Sequence, residues 1–168
     1  MRSGPFHALA LRLLAALVLA LTASAQGGEL ACVRLAPDEI RLQADPSRPG
    51  GMEMAVLAGD LGKAGLYAAR IRIPAHLRIH PHTHPEDRVV VVLSGTLLVG
   101  YGERFDTSRM KALPPGSFFT EPAGQAHFAW AQTSDVVVQV SGIGPSGTAY
   151  VDAASLDMKS DAPSGPKP

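Results

Sequence analysis

Gly116-Ser117-Phe118-Phe119-Thr120-Glu121-Pro122-Ala123-Gly124-Gln125-Ala126-His127 reads as a short β-strand, a stiffened turn and a histidine that opens a second strand. Ser117 to Thr120 has strand composition, and His127 to Ala131 is apolar after its first residue. Between them Pro122 stiffens the chain, while Gly116 and Gly124 permit tight turns. The turn therefore delivers His127 to a defined place on a strand. A lone histidine in such a setting is more often a hydrogen-bonded core residue than a ligand, so its neighbours decide what it means.

Upstream lies Arg78-Ile79-His80-Pro81-His82-Thr83-His84-Pro85-Glu86-Asp87-Arg88. Residues i and i+2 of a strand share a face. His82 and His84 can thus aim two imidazoles at one point, with His127 as the third. Histidine is the commonest metal-binding side chain, through a neutral ring nitrogen. The bland alternative is a surface strip that traps ions loosely.

The rest of the chain is written in short β-type runs. They span Met52 to Leu57, Leu66 to Ile73, Arg88 to Leu93, Thr96 to Tyr101, Ser117 to Thr120, His127 to Ala131 and Val136 to Ile143. Gly, Pro, Asp or Ser break each from the next. Val89 to Leu93 is continuously apolar, as expected of a strand buried on both faces. Short helical turns are expected near Thr107–Ala112 and Asp152–Met158. There are 17 Gly and 14 Pro in 168 residues, which favours turns over long helices. The length suits one domain. We expect an all-β sandwich or barrel over residues 52–150, a loose N-terminal arm over 26–51, and a C-terminal segment over 151–168 ending in a disordered tail from Lys159 to Pro168.

Charge and cysteine content exclude several classes. Lys and Arg number 15, Asp and Glu 15, and the pI is about 7.0, with no basic stripe for nucleic acid. A charged fraction of 18% beside 46% hydrophobic residues argues against global disorder. A single cysteine excludes an internal disulfide and any site built on several thiolates.

The first residues read as an address. Arg2 and Arg12 flank the apolar run Leu13 to Leu21, which Thr22-Ala23-Ser24-Ala25 follows. This is the pattern of a secretory signal peptide over residues 1–25, cut after Ala25. The run falls short of the roughly 20 residues that span a bilayer. Removing Arg2, Arg12 and His7 leaves 143 residues, net charge −2 and five histidines. The mature protein is expected in the periplasm or outside the cell, with no membrane insertion. Cys32 would be alone there, either as a small residue near a flexible start or as one half of an intermolecular disulfide.

With these residues laid out, the chain resembles the cupin superfamily of small β-barrels over about residues 52–150. The family's second motif is Gly, five residues, Pro-x-Gly, two residues, His, three residues, Asn. Gly116, Pro122-Ala123-Gly124 and His127 match it, and Ala131 replaces the Asn. The first motif is His-x-His, three or four residues, Glu, six residues, Gly. His82-Thr83-His84, Arg88 and Gly95 match its spacing, but Arg88 stands at the Glu position and His76 at the leading Gly. The resemblance implies a double-stranded β-helix, the jelly-roll barrel, and pairing as homodimers.

Arg88 is the informative departure, because a guanidinium has no lone pair for a metal. Three arrangements stay open. His82, His84 and His127 alone hold one divalent transition metal; or Glu86 or His80 reaches in as a fourth ligand; or the pocket holds no metal and Arg88 pairs with Glu86, Asp87 or an anionic ligand. Such a ligand set suits Fe, Mn, Zn, Ni or Cu. Val90, Val92, Leu98, Phe119, Phe128, Trp130 and Val138 are expected to line an apolar cavity, with Arg88, His80, Tyr101, Glu121 and Gln125 as polar pocket candidates. Ser141 to Gly147 is Gly-rich but lacks the Lys-Ser/Thr ending of a phosphate loop. Two functions follow: a metal-dependent small-molecule enzyme of oxygenase or isomerase type, or a non-catalytic small-ligand binding or sensing protein. Metal buffering by a His-rich strip is a third.

Overall fold

The structure, a computed structural model, describes residues 30–44 and 49–152. The expected signal peptide over residues 1–25 and the expected tail from Lys159 to Pro168 lie outside those residues, as does the expected 152–158 turn beyond Asp152. Among the described residues there is no α-helix, and none is long and apolar enough to cross a membrane.

Eleven strands follow in chain order: β1 (Gln43–Ala44), β2 (Glu53–Ala58), β3 (Gly65–Ile73), β4 (Arg78–Thr83), β5 (Arg88–Ser94), β6 (Leu97–Tyr101), β7 (Lys111–Leu113), β8 (Phe118–Glu121), β9 (His127–Trp130), β10 (Val136–Gly144) and β11 (Ala149–Tyr150). They form two antiparallel sheets, β1-β2-β3-β10-β5-β8 and β11-β4-β9-β6-β7. The longest ladder runs from Val136↔Ile73 to Gly144↔Gly65. The two sheets pack face to face as a jelly roll, the all-β architecture expected. In the arm, β1 pairs with β2 and covers an edge that would otherwise expose unpaired backbone groups.

Alternation along the strands sets the core. Val90 and Val92 of β5, Val136, Val138 and Val140 of β10, and Tyr67 of β3 are buried, and they meet Ile79, Leu97, Val99 and Ala129 of the other sheet. Burying each such side chain contributes about 1.5–3 kcal/mol. The run Val89 to Leu93 is therefore not buried on both faces. Val89 is 43% exposed and Leu93 40%, because an antiparallel sheet in a sandwich has only one inner face.

One further expectation changes. The Thr107–Ala112 turn is a 3₁₀ turn over Thr107–Arg109 only, with Asp106 accepting from the Ser108 N–H at 2.9 Å. The chain then enters β7, where Leu113 pairs with Leu97 and is buried. β4, which carries the histidine cluster, has no apolar run to mark it as a strand.

The two motif turns carry their backbone signature. Gly116 and Gly124 have φ of 85° and 70°. His76, at the first motif's glycine position, also has a left-handed φ of 66°. Its N–H donates to Ala131 O at 2.6 Å, and Ala131 N–H donates to Leu77 O at 3.0 Å. This pair extends the β4–β9 ladder and holds His76 in a conformation that costs a side-chain-bearing residue about 1–2 kcal/mol. His76→Gly should therefore stabilise the protein by up to about 1 kcal/mol after glycine's own entropy cost. Urea denaturation measures it; a destabilised variant would show that the imidazole, not the backbone, matters at this position.

Candidate metal centre

The histidines converge because β4 is irregular. Its pairing with β9 shifts register between Ile79 and His82. Such a bulge re-aims the side chains beyond it. Ile79 faces the barrel interior before the shift, and His82 and His84 face it afterwards. His82 lies directly opposite His127 in the ladder, with ring centroids 4.3 Å apart. His84, just past the end of β4, sits 4.9 Å from the His82 ring and 5.0 Å from the His127 ring. All three are buried, and one ligand nitrogen from each lies within 4.8 Å of the others.

The two motifs are clamped together by main-chain contacts. Gly124 N–H donates to His84 O at 2.8 Å, and Ala123 N–H donates to Asp87 Oδ1 at 2.8 Å. The Pro122–Gly124 turn thus docks on the loop that carries His84.

Each imidazole is oriented by a backbone carbonyl. Nδ1 of His82 meets His80 O at 2.8 Å, Nδ1 of His84 meets Gly147 O at 2.6 Å, and Nδ1 of His127 meets Gln125 O at 3.1 Å. A carbonyl only accepts, so Nδ1 carries the hydrogen and Nε2 of the neutral ring keeps its lone pair. This is how metal-ligating histidines are held. Burial, then the neighbouring His127, pushes His82 down to about 3. Burial, then the Arg88 guanidinium, pushes His84 down to about 4. Both are neutral near pH 7, as a ligand must be. Nε2 of His127 is buried and has no hydrogen-bond partner.

Arg88 points inward. Its Nε donates to Glu86 Oε1 at 2.7 Å, its Nη2 to Ser146 Oγ at 2.6 Å and Gly147 O at 3.2 Å, and its Nη1 to His84 Nε2 at 3.1 Å. Glu86 stands apart from the three histidines. Its Oε1 also accepts from Tyr67 Oη at 2.7 Å. Burial raises the Glu86 carboxyl, but the Tyr67 and Arg88 bonds outweigh it and leave it below its ordinary value. Burial, then Glu86, pushes the Tyr67 phenol up to about 12. Glu86 is thus the anchor of Arg88 and is outside the group of ligand atoms formed by His82, His84 and His127.

The other candidates divide. His80 falls on the far side of β4, its ring 5.6 Å from Phe105, and only its carbonyl serves the site. Gln125 is exposed and likewise contributes its carbonyl. Tyr101 is 40% exposed and donates to Thr120 O, away from the cavity. Glu121 is the acid that reaches the histidines. Its Oε1 lies 3.4 Å from His127 Nε2 and its Oε2 3.4 Å from His84 Nε2. Glu121 lines the cavity, as expected of a polar pocket candidate, but nothing in the sequence showed that β8 would bring it to two of the imidazoles.

These groups sit in the wall of a cavity of about 510 Å³. Val90, Phe119 and Val138 line it as expected. Val92 packs in the core beside it. Leu98, Phe128 and Trp130 do not line it, because His127 facing inward forces Ala129 inward and its two neighbours outward. Phe128 stacks on Phe105 at 5.2 Å instead, and Trp130 lies under Arg78 at 4.6 Å. Cys32 is exposed, away from this site.

Comparison with known proteins agrees with this geometry. The family model described as Cupin matches residues 58–160, which is more than half of the chain. The chain belongs to the cupin family. A germin-like protein, subfamily 1 member 20, of Arabidopsis thaliana is 30% identical over 111 residues, covering 64% of this cupin and 50% of that protein. The chain thus spans about half the length of the curated relatives it matches. Among solved structures, the polyketide cyclase RemF from Streptomyces resistomycificus has a TM-score of 0.59 at 16% identity, over 76% of this chain and 92% of that one. A cupin-superfamily sugar phosphate isomerase from Silicibacter pomeroyi has a TM-score of 0.53 at 20% identity, over 70% and 80%. At these identities the structures share the fold alone.

Removing one member of a buried ion pair strands its partner, which costs about 3–5 kcal/mol. Glu86→Ala should lose stability in that range by urea denaturation. A loss well below it would mean that Arg88 re-pairs with Glu121, 3.8 Å from Nη1.

Proposed function

We propose that this cupin is an exported, metal-dependent enzyme that acts on a small molecule held in the barrel, by chemistry of the oxygenase or isomerase type. One observation carries the reading: three imidazoles, each tied at Nδ1 to a carbonyl, turn their Nε2 atoms together into an apolar cavity. The donor set fits a divalent ion, with an orphaned buried Nε2 on His127 among the three. Fe, Mn, Zn, Ni and Cu all accept such nitrogens. A divalent ion would supply Lewis acidity when bound. The chain's own part is to present neutral nitrogens, to exclude water with Val90, Phe119 and Val138, and to hold a fixed cation, Arg88, beside the site. A cavity of this size suits a small substrate. An enclosed trio, with His80 turned away, speaks against a loose ion-buffering strip.

The two structural neighbours, a polyketide cyclase and a sugar phosphate isomerase, share the fold and select neither reaction nor substrate. One observation favours the second reading, a non-catalytic small-ligand binder. Arg88 Nη1 lies 3.1 Å from His84 Nε2, so a guanidinium N–H satisfies one of the three lone pairs.

Elemental analysis of the mature protein, reconstituted with each of the five metals, should find one ion per chain. His127→Ala should lose it. Full retention in that variant, or no stoichiometric metal in the parent, would sink the enzyme reading. Turnover that tracks metal content would remove the binding reading. Export has its own check: mass spectrometry of protein recovered outside the cytoplasm should give a chain that begins at Gln26.

A further inference from the structure

We propose that Glu121 is the fourth ligand of this site, a carboxylate delivered by β8 from across the ladder, with Arg88 as the cation that positions it. The inference rests on the metal reading above and adds a ligand that the histidine spacing does not contain.

The placement comes first. Glu121 pairs in register with Arg88, so the two side chains rise from adjacent strands onto the same inner face. Phe119 and Glu121 line the cavity, while Phe118, before them on β8, is exposed. Glu121 itself is only 9% exposed. A buried carboxylate is costly unless it is paired and hydrogen-bonded. Its polar neighbours lie at 3.4 Å (His84 Nε2), 3.4 Å (His127 Nε2) and 3.8 Å (Arg88 Nη1), all longer than a good hydrogen bond.

The two Glu121–imidazole distances match the donor spacing of a coordination shell. Donor atoms held about 2.1 Å from one ion lie about 3.0 Å apart at right angles and about 3.4 Å apart in a tetrahedron. The two carboxylate oxygens stand at that separation from two different imidazole nitrogens. With His127 Nδ1 held on Gln125 O, Nε2 is the ring atom that faces Glu121 Oε1 at 3.4 Å. That nitrogen is buried and has no hydrogen-bond partner, and a cation between it and the carboxylate would satisfy both.

Arg88 fits the same arrangement. Glu86 and Ser146 fix two of its three nitrogens. The third, Nη1, is directed between His84 Nε2 and Glu121 Oε2. Once the His84 lone pair is given to an ion, Nη1 has Glu121 as its remaining acceptor among these two. Arg88 is then a positioning residue that orients the carboxylate, in the way outer hydrogen bonds hold ligands elsewhere.

The test uses Co(II), whose absorption spectrum reports its coordination, with the mature chain and its Glu121→Gln, Glu121→Ala and Glu121→His variants. Affinity and spectrum are read together, and melting in chelator confirms that each variant folds. We expect one Co(II) per parent chain, at least a tenfold weaker affinity with an altered spectrum in Glu121→Gln and Glu121→Ala, and recovery of affinity in Glu121→His, which restores a donor. Folded Glu121→Gln and Glu121→Ala that bind Co(II) as tightly as the parent, with its spectrum, would overturn the inference while leaving the three-histidine site standing. A parent that binds no Co(II), nor any of the other metals, would overturn both.

Discussion

Three hydrogen bonds from imidazole Nδ1 to main-chain carbonyls decide what this barrel can do. The carbonyls belong to His80 within β4, to Gln125 in the turn before β9, and to Gly147 in the loop between β10 and β11. These are three separate segments, and the Gly124 turn holds the backbone of His84, whose ring sits against the third. The His82 and His127 bonds each reach back only two residues, so the tertiary fold enters through the His84–Gly147 bond and through the β4–β9 pairing that brings the rings together. Each bond contributes only about 1 kcal/mol. Their larger effect is directional: they commit one nitrogen of each ring to the protein and turn the other into the cavity.

Burial supplies the second half of that effect. Desolvation leads the lowering of both His82 and His84, so the rings stay neutral where free histidine would begin to protonate. The Arg88 guanidinium acts in the same sense on His84. A fixed positive charge inside a histidine cluster thus keeps the His84 ring neutral, while its own Nη1–H donates to the Nε2 lone pair. Glu86, Tyr67 and Ser146 are what hold that charge in place.

How much of this was legible in the sequence depends on which physical constraint each feature obeys. The second motif could be read because a turn that needs left-handed backbone at Gly116 and Gly124 writes itself into residue type. The trio could be read because His82 and His84 share strand parity. The bulge between Ile79 and His82 could not, since it depends on pairing with β9, and with it went the reading of His80 as a pocket group. Parity does contain one fact that apolar content hides: once His127 points inward, Phe128 and Trp130 cannot. The continuous run at Val89 to Leu93 misled because apolar content does not distinguish an inner face from an exposed one. Glu121 was visible as a polar residue near the cavity, but its partnership with Arg88 is a matter of β5–β8 register, which local pattern does not encode.

That register bears on how a broken motif should be read. Side chains directly opposite in an antiparallel pair have Cβ atoms about 4.5–5.5 Å apart. A carboxylate moved from one strand to the facing position on the next is displaced by no more than its own side chain can span. The chemistry of a site can therefore survive when the motif that usually carries it does not. In this barrel an arginine stands where a linear motif requires an acid, and an acid stands opposite the arginine, buried beside two of the histidines. Read along the chain, the substitution deletes a ligand. Across the ladder it relocates a negative charge and adds a positive one to hold it.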